Sequence, residues 1–316
     1  VLASELLTQV RNLGMLPNAN TNALDDVSIL RHADMEVQTR LLPMLRRLNE
    51  EYLVASVDIT AVNGRVELPL RAAGAAVRHV QLVTTGGGLR PLPRLMPEQT
   101  YGYPTATTYA AGYYFDGGGI VLQPDGASGT VRLRYYVRPG AIRTLLTLPT
   151  SYVGVDPGGL ISLVETDAPS AGRTRFTISA FSSGAPTGNV DFINQGPAHD
   201  AVNVSVAITG VSATQFHVAS SDLTRAVRVG DYAYPTGYTP IVPLPEELSG
   251  VLVGLTVARA LMACGYQSEA AQQLADAEKS MLEVEHLLRP RSEGNPKVLT
   301  GGILAGLGSL NSWRGW

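Results

Sequence analysis

The sequence predicts an α+β fold in which helices at both ends bracket a long strand-rich middle. Three observations carry this reading. Apolar residues recur every three or four positions up to Tyr52 and again after Pro245. Between those points the period falls to two, and glycine and proline punctuate short runs. Beyond Leu288 no period remains, because Pro290 ends the last helix and the following residues mix glycine with large apolar side chains. The expected arrangement is a small helical bundle formed by the N- and C-terminal helices. An antiparallel β domain and a second β module are inserted between them, and an extended C-terminal arm follows. The expected divisions are residues 1–55 (N-terminal helices), 56–147 (β domain), 148–243 (second β module or insertion), 244–289 (C-terminal helical hairpin) and 290–316 (arm).

Ser4 is the expected cap of a first short helix running to Leu13, with Gly14 closing it. Asp25 and Asp26 open the next helix, where carboxylates satisfy free N–H groups and meet the positive end of the helix dipole. Val27, Leu30, Ala33, Val37, Leu41, Leu45, Leu48 and Tyr52 form its apolar stripe, and Pro43 should kink or divide it. Val57, Ile59 and Ala61 then alternate with polar residues, as do Val66 and Leu68. Asn63-Gly64 between these runs predicts a hairpin with a two-residue type I′ turn, since both residues tolerate positive φ. Further strands are expected at Val77–Val83, Tyr113–Asp116, Ile120–Gln123 and Val131–Val137.

From Leu148 to Pro243 the composition shifts to Ser, Thr, Gly and Ala. Strands are expected at Leu160–Glu165, Arg173–Phe181, Val202–Thr209, Gln215–Ala219 and Val229–Tyr234. Pro245 fits a first helical position. Leu248, Val251, Leu252, Leu255, Ala258 and Met262 form the apolar face of the helix that follows, and Gly265 closes it. Ser268 is the expected cap of a last helix to Leu288 that carries Leu274, Ala277, Met281, Val284 and Leu288 on one side and Asp276, Glu278, Lys279, Glu283 and Glu285 elsewhere. The short connection makes the pair an antiparallel hairpin.

Composition narrows the function classes. Hydrophobic residues are 45% and charged residues only 16% of the 316, which suits a subunit that buries much of its surface in an assembly. A net charge of −3 provides no basic footprint for tight nucleic-acid binding. The single Cys264 excludes an internal disulfide framework and sits in an apolar helical run, as a packed thiol would. The most apolar run, Val251–Cys264, is too short to span a bilayer, and no signal peptide is legible at the N-terminus.

Chemistry-bearing patterns are sparse. His32, His79, His199, His217 and His286 lack metal-ligand spacing. The glycine runs at 86–88 and 117–119 neither open a helix nor precede Lys-Ser/Thr, so they read as turns rather than phosphate cradles. No nucleophile elbow occurs. Tyr101, Tyr103, Tyr109, Tyr113 and Tyr114 cluster, as a ligand platform, an intersubunit contact or ordinary packing would. The arm from Pro290 to Trp316 is apolar yet glycine-rich, so it needs a surface on which to order.

The order of motifs resembles the head–tail adaptor (connector) proteins of tailed bacteriophages. The matching stretches begin at Asp26-Val27-Ser28-Ile29-Leu30 and Glu51-Tyr52-Leu53-Val54. They continue through Leu70-Arg71-Ala72-Ala73-Gly74, Leu89-Arg90-Pro91-Leu92-Pro93-Arg94, Phe115-Asp116-Gly117-Gly118-Gly119 and Leu133-Arg134-Tyr135-Tyr136-Val137-Arg138-Pro139. They return at Val229-Gly230-Asp231-Tyr232, at Pro240-Ile241-Val242-Pro243-Leu244-Pro245 and in the terminal helix pair. The resemblance implies a structural virion protein of the neck, without enzyme activity or cofactor and without a membrane partner, assembled in the host bacterial cytoplasm. It implies a ring, commonly dodecameric, below the portal protein, with a tail or nozzle protein beneath and DNA passing through the lumen without sequence-specific binding. It also implies that the arm grips the portal. The residues expected to do so are Lys297, Val298, Leu299, Ile303, Leu304, Leu307, Leu310, Trp313, Arg314 and Trp316, with Tyr101, Tyr103 and Tyr109 as a possible subunit or tail contact. The alternative is a carbohydrate-binding tail accessory protein, from the tyrosine cluster and the Ser/Thr/Gly-rich module.

Overall fold

The computed structural model describes residues 1–16, 24–69, 71–84, 86–96, 110–124, 126–144, 161–166, 173–178, 189–194, 201–211, 215–223 and 225–289. The arm and its named residues, His199, and Tyr101, Tyr103 and Tyr109 lie outside these.

The first helix, α1 (Ala3–Leu13), begins two residues earlier than a Ser4 cap would place it, with Leu2 at the cap position. Its start is fixed from elsewhere in the chain. Ala3 N–H donates to the Pro240 carbonyl (2.8 Å), and Glu5 accepts from Leu2 N–H (3.0 Å), so no Ser4 cap is needed. Helix α2 (Asp26–Glu36) is capped as expected, with Asp25 Oδ1 accepting from Ser28 N–H at 2.8 Å. Pro43 divides the long pattern through a widened π turn at Val37–Leu41, in which Leu42 N–H reaches back to the Val37 carbonyl. A proline two residues into the following helix, α3 (Leu42–Leu48), has no N–H to give, and the wide turn accommodates its ring.

Fifteen strands follow in the described residues. A four-stranded antiparallel sheet runs β1 (Val54–Thr60), β7 (Thr130–Val137), β3 (Ala72–Val83), β4 (Leu89–Pro91). A three-stranded sheet runs β2 (Arg65–Glu67), β6 (Gly119–Gln123), β5 (Gly112–Asp116). The Asn63-Gly64 turn has positive φ at both residues (52° and 75°), and Val62 and Arg65 exchange two 2.9 Å bonds across it. The hairpin expected to continue from this turn does not. β1 pairs with β7 while β2 pairs with β6, because Ala61 N–H turns to Gly129 and Leu122 N–H bonds to the Gly64 carbonyl. The turn therefore passes the chain from one sheet to the other. Both sheets close on one core of Val66, Val80, Leu82, Ile120, Leu122, Val131 and Leu133.

A six-stranded sheet takes up the middle of the chain. Its order is β14 (Tyr232–Pro235), β11 (Asn189–Ile193), β12 (Ala201–Val211), β13 (Gln215–Ala219), β10 (Arg173–Ile178), β9 (Ile161–Thr166). Phe176, Phe192 and Phe216 pack together in its core, with centroids 4.9–6.1 Å apart; Phe216 stacks on both of the others, which are tilted to each other. β11 is absent from the sequence reading, because Asp191 interrupts its apolar run. Two short segments frame this sheet. β8 (Ala141–Ile142) and β15 (Tyr238–Thr239) pair in parallel, so the chain leaves and returns side by side.

The last helices are α4 (Ser249–Ala263) and α5 (Gln267–Leu288), after a single 3₁₀ turn at Glu246–Leu248. α4 is not amphipathic as read. Val253, Thr256, Val257 and Ala260 are buried along with Val251, Leu252, Leu255 and Ala258, whereas Met262 is 51% exposed. The reason is position, since α1, α2 and α5 all pack around α4. One apolar core therefore joins Leu6, Val10, Ile29, Leu30 and Leu41 to Leu252, Leu255 and Val257. Gly265 has φ +89° and ends the hairpin's first arm as expected. Ser268 does not cap α5. Its hydroxyl donates to Glu269 from inside the helix, which starts after Tyr266.

Candidate assembly surfaces and the contacts that set them

Charged side chains in this protein mostly hold one element against another. Glu36 on α2 is 1% exposed and ion-paired to Arg259 on α4 and to Arg40 in the π turn (3.2 Å). Arg40 continues to Glu278 on α5 at 2.8 Å. This chain of four charges stitches the N-terminal helices to the C-terminal hairpin. His32 sits one turn before Glu36, and burial together with the Arg259 charge holds its imidazole below the ordinary histidine range. Asp34 points from α2 to β8, accepting from Ile142 N–H (2.8 Å) and Arg143 Nη1 (2.9 Å). Burial raises its carboxyl above the usual aspartate value, against the pull of those two donors.

The join between the sheets is Arg71 with Asp191. Arg71, in the turn just before β3, donates to the Arg138 carbonyl from Nε (3.1 Å) and Nη2 (2.7 Å), and its Nη1 meets Asp191 Oδ2. Asp191, on β11 beside the edge strand β14, is fully buried and also accepts from Ser205 N–H (2.8 Å) and Gly237 N–H (3.0 Å). A cavity of about 20 Å³ adjoins Arg71, lined in part by Val137, Ile193 and Tyr238, which is room for roughly one water. Tyr52 anchors the helical side to the same region, donating its hydroxyl to the Pro243 carbonyl at 3.0 Å.

Two surfaces stand out among the described residues. One face of the four-stranded sheet carries Asp58–Arg132 (2.7 Å), Glu51–Arg134 (2.6 Å) and Arg78 with Glu50 and Glu51 (3.1 Å each). The hydrogen bonds from Arg132 hold the Asp58 carboxyl below the usual range. The other surface is the C-terminal hairpin, where Met262, Tyr266, Leu282 and Leu287 are all more than half exposed. The hairpin ends at Leu288, with Arg289 at the cap position before the arm.

Of the residues predicted as sites, none lies within the described part, since the arm residues and Tyr101, Tyr103 and Tyr109 fall outside it. Tyr113 of the same cluster is a packed residue, edge-on to Phe115 at 5.8 Å. His32, His79, His217 and His286 form no ligand set. Among the described residues no group of three or more His, Cys, Asp or Glu is placed to hold a metal ion. Among them, too, no helix is long and apolar enough to cross a membrane. Cys264 lies half-buried at the margin of the helical core. The connectors Glu36, Arg259, Arg71 and Asp191 were not singled out in the sequence. The only trace of them there is Arg71, inside a motif that carries the family resemblance.

Helices sharing one ion-stitched core, with antiparallel sheets attached through buried salt bridges, define an α+β protein. Residues 2–157, just under half of the chain, match the family model described as SU10 adaptor protein, a match that indicates a member of the phage head–tail adaptor family. The match stops before β9, so all six strands of the six-stranded sheet lie beyond it. No curated protein matches the chain.

Proposed function

We propose that this protein is a ring-shaped head–tail adaptor, seated between the portal and the tail in the virion neck and surrounding the DNA channel. The observation that carries the proposal is the family match over residues 2–157. The dodecameric ring, the portal above and a tail or nozzle protein below follow from the family resemblance. In this reading residues 1–55 and 244–289 form the bundle, 56–147 the β domain and 148–243 a module inserted into it. The slight net negative charge of −3 suits a lumen that lets DNA slide rather than holding it.

In the same reading the arm, 290–316, docks on the portal. Val298, Leu299, Ile303, Leu304, Leu307, Leu310, Trp313 and Trp316 supply apolar contact, and Lys297 and Arg314 supply charge. Tyr101, Tyr103 and Tyr109 contact a neighbouring subunit or the tail. An arm that orders only on docking suits a step that waits for a finished portal, and a ring multiplies modest contacts by its copy number. The test is native mass spectrometry of the protein with purified portal, run on the full chain and on a chain truncated after Pro296. Association of the full chain and loss of docking by a folded truncation is the expected result. Normal docking by the truncation would remove the arm's role, and no association by either would remove the adaptor reading.

A further inference from the structure

We infer that the free edge of β1 is a docking strand for an extended, acidic segment of another protein chain, which would pair there as an added antiparallel strand. The inference builds on the adaptor reading by naming a surface and the chemistry of its partner.

β1 lies at the edge of its sheet. Its register with β7 is fixed at both ends by Val137 N–H to the Leu53 carbonyl (2.8 Å) and Ala61 N–H to the Gly129 carbonyl (2.9 Å). Backbone direction alternates along an antiparallel pair, so residues 55, 57 and 59 turn toward β7, and Val54, Ser56, Asp58 and Thr60 turn outward. Val54 N–H is taken by the Glu51 carbonyl (3.2 Å). Among the described residues, the outward N–H and C=O groups of Ser56, Asp58 and Thr60 meet no partner. β1 also lacks the usual guards of an open edge. It has seven residues without proline or lysine, and the carboxylate of its one charged residue, Asp58, is held by Arg132 on the neighbouring strand.

A groove of about 410 Å³ runs along this edge, lined by Ser56, Val57, Asp58, Arg132, Ser221 and Arg225. Ser221 and Arg225 form a wall that belongs to the loop after β13. That loop is fixed because Asn203 accepts from Arg225 N–H (3.0 Å) and donates to the Arg225 carbonyl (3.0 Å). Such a wall obstructs the edge of a second sheet and admits a single extended segment. The lining carries two cations, Arg132 and Arg225, against the one anion Asp58. Arg225 is exposed, and its guanidinium meets no carboxylate among the described residues. Asp222 accepts from Ser221 (3.1 Å) and does not line the groove. The site therefore favours a carboxylate-bearing strand. The chain's own arm is a poor match, with Arg291, Lys297 and Arg314 against Glu293. Main-chain bonds along the edge would give affinity, and Arg225 would give the charge preference.

The test is amide hydrogen exchange on the full chain, titrated with a capped heptapeptide of alternating valine and glutamate and with its lysine counterpart. At ten times the dissociation constant of the glutamate peptide, exchange at Ser56, Asp58 and Thr60 should slow about tenfold, while Val57 and Ile59 stay protected throughout. Ser56→Pro should abolish the effect, because it removes an outward N–H without touching the β7 ladder, and Arg225→Glu should reverse the preference toward lysine. Absence of protection with either peptide overturns the inference. So does stronger protection by a peptide of residues 290–316, which would assign the groove to the chain's own arm. Neither result bears on portal association, so the adaptor reading stands or falls separately.

Discussion

Asp191 receives two backbone N–H groups and the Arg71 guanidinium at a position with no solvent exposure. Its partner Arg71 is held in turn by the Arg138 carbonyl. Truncating either side leaves an uncompensated buried charge, a loss on the order of 3–5 kcal/mol, whereas replacing both by apolar residues of similar volume costs far less. Chemical denaturation should therefore show Asp191→Ala strongly destabilised and the Arg71→Met, Asp191→Leu double variant closer to wild type. Equal losses in the single and double variants would show that the pair does not act as a unit. None of this is legible locally. A lone aspartate among Val190, Phe192 and Ile193 reads as the end of a strand, and only the distant Arg71 makes it the middle of one. Asp25 is the opposite case, because its partner, Ser28, lies three residues away and the cap could be read directly.

At the scale of elements, helices and strands were found where their period was long and their signals local. α2, α5 and β7 follow their apolar patterns closely. The reading failed where a neighbour overrode the pattern. α1 starts at Ala3 because Pro240 accepts its N–H, and α4 is buried on nearly every side because three helices surround it. Close packing of α4 on α5 depends on Gly254, where an added Cβ would come within 3.1 Å of the Ala277 Cβ. Gly254→Leu should separate the hairpin and cost about 1–3 kcal/mol by overpacking, with helix content by circular dichroism largely kept. A variant as stable as wild type would mean that the hairpin can shift at little cost. The Asn63-Gly64 turn makes the same point for strands. Its type I′ geometry is written in two residues, but which strands it joins is decided by Gly129 and Leu122.

For the whole molecule, the side-by-side pairing of β8 and β15 suggests that the six-stranded sheet can be removed. Joining Thr144 to Gly237 through a Gly/Ser linker of about a dozen residues, the length a crossover between parallel strands needs, should leave the helical core and the first two sheets folded, at reduced stability. Arg71→Met should be included, because excision removes Asp191. Retained cooperative unfolding with wild-type helix content is the expected outcome, and an unfolded or molten product would show that the sheet is integral to the rest. The contact of Ile193, Tyr232 and Tyr234 with Ile241 accounts for the expected loss. The sequence alone determined the α+β class, most helices and strands, the turn at Asn63-Gly64 and the family, since each rests on signals within a few residues or on motif order. The tertiary structure decided which strands share a sheet, that α4 is central, and that Arg71 with Asp191 and Glu36 with Arg259 join the parts. The two ion pairs join residues 120 and 223 positions apart, and burial turns each ordinary charge into a structural link.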